Sequence, residues 1–146
     1  MNETKAKALA FTLGKEGGLS NNPNDPGAET YKGISRHYWP NWDGWQYVDA
    51  GNFDEAEKHV EDFYTVNFWN AMHCDDLPYP FDLIAFDSAV NPGPGATAKF
   101  LALSQNWRDV LFMRMQHYRE QDQKQHAQFF GGLIDRCLDL WKVASS

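Results

Sequence analysis

Glu16 stands where an apolar-periodic stretch ends and turn-forming sequence begins: Gly17-Gly18, then Asn22-Pro23 and Asp25-Pro26-Gly27. Leu13 lies three residues earlier, so a helix persisting to residue 16 turns this carboxyl toward its apolar face. Partial burial and the negative end of the helix dipole both favour the protonated form, which a general acid requires. A hairpin tipped by Pro26-Gly27 would swing Asp25 or Thr30 back over the glutamate. The result is a carboxyl pair, or a carboxyl with a water-holding hydroxyl, the equipment of glycoside hydrolysis. Two plainer readings stay open. A lone Glu is commonly a solvated residue at a frayed helix end, and Asp25 before Pro-Gly fits a turn residue capping Gly27 or Ala28.

Three further features could do chemistry. Asp87 lies in FDLIAFDSAVN, residues 81–91, which is apolar nearly all round. A carboxylate there is costly without partners, so Asp87 is expected to tie this helix to the hairpin or to a neighbouring chain end. Asn91 closes the same helix, where it could line a cleft and bind an acetamido group. The segment YWPNWDGWQY, residues 38–47, offers rings on which the apolar face of a sugar can stack, with Trp42 as the candidate contact; core packing is the alternative for most of these rings. No His-x-x-x-His or Cys/His spacing suggests a metal, and residues 22–33 put Pro26 and Gly33 where an EF-hand needs ligands. No metal or other cofactor is expected. Phosphate-loop and Gly-x-Ser-x-Gly motifs are absent from the sequence.

The elements that must position these residues read mainly as helices. Ala6, Leu9, Ala10 and Leu13 form a stripe after a cap at Asn2. Val60, Phe63, Tyr64, Phe68, Ala71 and Met72 predict a helix over 54–73. The 81–91 helix is buried and ends at Pro92-Gly93. Leu111, Met115 and Tyr118 follow a cap at Asn106, and the stripe from Phe130 to Trp141 closes the chain. Strands are expected only between residues 18 and 35. The prediction is a mainly α, α+β fold: a helical bundle around a buried central helix, with one small β-hairpin beside Glu16. One domain spans 1–146, with 1–105 carrying the chemistry and 106–146 packing on it.

Composition narrows the partners. Thirteen Lys and Arg face 20 Asp and Glu, for a net charge of −7, which opposes nucleic-acid binding. No apolar run spans a bilayer, and the first fifteen residues lack the pattern of a secretory signal. Cys74 and Cys137 lack C-x-x-C spacing and read as buried reduced thiols.

Glu16-Gly17-Gly18, Asn22-Pro23-Asn24-Asp25-Pro26-Gly27, Thr30 and Gly33-Ile34 together resemble the catalytic motif of glycoside hydrolase family 108, the N-acetylmuramidases found among phage endolysins. Tyr64 and Trp69 resemble positions of that family's second helix. Phe86-Asp87-Ser88-Ala89-Val90-Asn91 resembles its buried Phe-Asp-x-x-Val-Asn segment, and residues 132–136 resemble its Gly-Trp-x-x-Arg element, with Leu133 in place of Trp. The resemblance implies a lysozyme-like fold and a muramidase cleaving peptidoglycan. It carries the acid over to Glu16, with Asp25 and Thr30 as candidates for the second role. Asn22, Tyr31, Trp42 and Asn91 are the expected substrate contacts, and Gly17, Gly18 and Asp87 the structural supports. It also implies a monomer made in the host cytoplasm and released to the cell wall in the periplasm by a holin-type route. The rival readings are a non-catalytic wall-binding or virion module of the same fold, and a chitinase-like hydrolase of N-acetylglucosamine polymers.

Overall fold

The computed structural model of the chain describes residues 3–21, 29–121 and 130–146. Helix α1 (Glu3–Lys15) leads into strands β1 (Leu19–Asn21), β2 (Glu29–Tyr31) and β3 (Ile34–Ser35). The short α2 (Trp45–Asp49) and α3 (Phe53–Tyr64) follow, then α4 (Phe81–Val90), α5 (Pro94–Leu103), α6 (Trp107–Gln121) and α7 (Phe130–Ser145). The mainly helical architecture with a small sheet is the one expected.

Helix α4 sits at the centre because it presents apolar side chains in every direction. Leu83, Ile84, Ala85, Phe86 and Ala89 are all fully buried, and burying each large one is worth about 1.5–3 kcal/mol. Helices α1, α5, α6 and α7 pack around it. Helix α3 starts one residue earlier than predicted, where Asn52 accepts a hydrogen bond from the Glu55 amide. It also ends sooner: a π-helical turn over Thr65–Trp69 replaces the last α-turns, and His73 adopts a left-handed conformation with φ 53°. Helices α2 and α5 are not predicted by the apolar periodicity of the sequence. Helix α5 begins with Pro94 in its first turn, directly after Gly93 at φ 137°, so a second helix follows the stop signal at once.

The single expected hairpin is corrected to a three-stranded antiparallel sheet in the order β1-β2-β3. Leu19 faces Tyr31, Ser20 faces Thr30, and Tyr31 faces Ile34 across the second turn. That turn is Lys32-Gly33, both with positive φ (50° and 81°), a type I′ conformation whose twist matches its flanking strands. Strand alternation puts buried Tyr31 on the core face and half-buried Thr30 on the other. Arg36 fastens the sheet to α2, donating to Glu29 at 2.6 Å and to both oxygens of Asp49 at 2.8 Å. Among the described residues, no helix is long and apolar enough to cross a membrane. Both cysteines are buried and carry free thiols.

Candidate active site

Helix α1 stops at Lys15, and the Glu16 amide still donates to the Thr12 carbonyl at 3.2 Å, so Glu16 follows directly from the helical path. Its side chain is 20% exposed, half-sunk as the apolar-face argument requires. The β2–β3 turn closes one side of it. A Cβ placed on Gly33 would lie 2.6 Å from both Oε2 of Glu16 and the hydroxyl of Tyr64. Only glycine satisfies both that approach and a φ of 81°. Tyr64, from α3, donates its hydroxyl to the Lys32 carbonyl at 2.5 Å. Burial and then the charge of Glu16 push its phenol well above the ordinary range, so it remains a neutral donor.

On the other side stands a partner 120 residues away in the chain, which no local pattern joins to Glu16. Arg136 of α7 donates Nη1 to Oε1 of Glu16 at 3.0 Å. This ion pair sets a guanidinium directly against the carboxyl at the helix end. Arg136 is itself held by Asp87, with Nη2 on Oδ1 at 2.8 Å and Nε on Oδ2 at 3.2 Å. Asp87 is fully buried and also accepts from Thr12 of α1 at 2.8 Å and from Arg114 of α6 at 2.8 Å. Burial works against its charge, but the Arg114 and Arg136 guanidiniums outweigh it and hold the carboxyl below its usual range. Asp87 therefore ties α4 to three neighbouring helices, not to the sheet. Arg114 continues the network: Nε donates to the Tyr118 hydroxyl at 3.0 Å, whose single O–H points at Asn91, with the side-chain oxygen 2.8 Å and the carbonyl 3.0 Å away.

The other expected contacts divide. Asp25 and Asn22 lie outside the described residues. Thr30 is half-buried on the non-core face of β2, between Ser20 and Ser35 in register. Asn91 is half-buried, and its side-chain oxygen is taken by Tyr118, so it fixes the end of α4. Tyr31 is 4% exposed, with Trp42 and Phe53 stacked over it, so most of its ring packs in the core. Trp42 is half-buried, edge-on to Trp45 at 5.2 Å, and lines a cavity of about 280 Å³ with Tyr38, Trp39, Asn41, Phe63 and Asn67. The rings that reach solvent there are Tyr38 and Trp39, 72% and 43% exposed. Phe63 connects this cavity to Tyr64, ring centroids 5.4 Å apart, and so to the flank of Glu16. At Gly17 and Gly18 an added Cβ would meet nothing and neither φ is positive, so their support is limited to low helix propensity. Among the described residues, no group of three His, Cys, Asp or Glu side chains could hold a metal ion.

Comparison with known proteins adds two findings. The family model for glycosyl hydrolase 108 matches residues 9–93, which contain Glu16, Gly33, Tyr64 and Asp87. The solved structure of SagA from Brucella abortus superposes with a TM-score of 0.74, covering 97% of this chain and 93% of that one at 24% identity, a likeness of fold. No curated protein matches the sequence significantly.

Proposed function

The chain belongs to the glycosyl hydrolase 108 family and is a glycoside hydrolase, and on that premise we propose that it cleaves the bond between N-acetylmuramic acid and N-acetylglucosamine in peptidoglycan, with Glu16 as general acid. The observation that supports this reading is the placement of Glu16. It is a carboxyl half-sunk at the end of α1, walled by a glycine turn and a neutral tyrosine, inside the matched segment. In this mechanism Glu16 protonates the glycosidic oxygen as oxocarbenium character develops on the sugar. Asp25 stabilises that charge or activates water, and Thr30 positions the water. The biological role proposed is that of a phage endolysin, acting as a monomer on the wall once it has been released from the cytoplasm where it is made.

The test compares wild type with Glu16→Gln on purified peptidoglycan and on chitin oligomers, after circular dichroism has shown equal folding. Wild type is expected to release new reducing ends at muramic acid, and Glu16→Gln to lose at least about a hundredfold in rate. Equal hydrolysis by both would move the acid elsewhere. Wall binding without hydrolysis by wild type would favour the non-catalytic module, and cleavage of chitin oligomers alone would favour the chitinase-like reading.

A further inference from the structure

Asp87 grips one edge of the Arg136 guanidinium with both its oxygens, through Nη2 and Nε, which fixes the plane of the group. The remaining nitrogen, Nη1, is thereby aimed at Oε1 of Glu16, 3.0 Å away. The anchor cannot yield, because Asp87 is fully buried and held from two further directions by Thr12 and Arg114. One oxygen of Glu16 thus ends a chain of contacts rooted in the core, while Oε2 faces Gly33 and Tyr64. The charges of this cluster balance only when both carboxyls are ionised: Arg114 and Arg136 against Asp87 and Glu16. A protonated Glu16 leaves one positive charge in excess in largely buried surroundings, and giving up that proton removes the excess.

We propose that Arg136 is a positioning residue for the acid: it holds Oε1 and so fixes the carboxyl against the Gly33 turn and Tyr64, and it favours the carboxylate that proton donation leaves behind. The inference rests on Glu16 being the acid. In the step itself a proton passes from the Glu16 carboxyl to the glycosidic oxygen. The bond from the anomeric carbon to that oxygen breaks with its electron pair going to the oxygen, and the carboxylate left behind is met by Arg136. Arg136 lies on α7, beyond the segment that the family model matches. The other groups facing Glu16 among the described residues do not supply this charge. Tyr64 of α3 is neutral, Asp87 of α4 acts through Arg136, and neighbouring Lys15 is spent on Asp139 at 2.6 Å.

The test is the pH–rate profile of peptidoglycan solubilisation for wild type, Arg136→Gln, Arg136→Lys and the control Lys15→Met, which removes an exposed ion pair between the same two helices. Arg136→Gln is expected to lower kcat roughly tenfold or more, leave KM within about twofold, and move the alkaline limb to higher pH. Arg136→Lys keeps the charge without the fork and should fall between, and it serves if Arg136→Gln does not fold. Lys15→Met should match wild type. Arg136→Gln, folded and with an unmoved alkaline limb, or Arg136→Lys with wild-type kcat, would overturn the proposal. A titration of the Glu16 carboxyl carbon by NMR separates this from the enzymatic reading. A midpoint that rises in Arg136→Gln supports the clasp even if wild type proves inert on peptidoglycan, and an unchanged midpoint refutes it even if wild type is active.

Discussion

Gly33 is where the sheet and Glu16 meet, and its requirement is geometric on two counts. An alanine there must adopt φ near 81° and press its methyl against Glu16 Oε2 and the Tyr64 hydroxyl. Gly33→Ala is expected to cost about 1–2 kcal/mol in a guanidinium titration from backbone conformation alone. It should also lower the hydrolysis rate about a hundredfold by displacing the carboxyl, a loss beyond what the drop in stability explains. A rate within a fewfold of wild type would show that Glu16 tolerates the shift. At this scale the sequence was informative where neighbours in space are neighbours in the chain. Glu16 could be singled out because Leu13, Gly17 and the turn residues flank it. Asp87 could be singled out because it is the charge in an apolar helix. Their shared partner Arg136 is 120 residues from Glu16, and no local pattern joins them. The burial of Tyr31 was not legible for a related reason: an aromatic side chain suits a sugar platform or a core, and the sequence alone does not separate them.

Helix α4 is positioned by charge as well as by apolar burial. Thr12, Arg114 and Arg136 bring α1, α6 and α7 to the single carboxylate of Asp87. Asp87→Asn leaves two largely buried guanidiniums without their counter-charge and should destabilise the fold by about 3–5 kcal/mol at pH 7, read from the denaturation midpoint. Because the folded carboxyl is held below its unfolded value of about 3.9, its stabilisation is complete above that range and lost as pH falls through the folded value. The gap between wild type and Asp87→Asn should therefore stay constant from about pH 7 to 5 and narrow only at more acid pH; narrowing near neutrality would assign the stabilisation to another group. The signal for this network was present in the sequence as complementary anomalies. Arg114 falls on the stripe of Leu111 and Tyr118, and Arg136 on that of Leu133, Cys137 and Leu140, while Asp87 interrupts an apolar helix. Charges on buried stripes must find one another. Helix α2 was not legible, since five residues carry too little periodicity to separate a helix from an aromatic loop.

Across the molecule, the Glu16 carboxyl and the aromatic cavity are linked through Phe63 and Tyr64. Trp39 lies on the exposed rim of that cavity and packs edge-on against Phe63 at 4.9 Å. If a glycan strand extends from Glu16 over this rim, Trp39→Ala should raise KM for polymeric wall severalfold while leaving kcat and the fold nearly unchanged. An unchanged KM would assign the cavity to packing. Chain synthesis gives the charge cluster a further consequence. A ribosome makes Asp87 before Arg114, and Glu16 long before Arg136, so each carboxylate exists for a time without the cation that balances it. A chain halted after α5 would hold an acid with no counter-charge and a central helix it could not bury, so the site can close only when the last helix arrives.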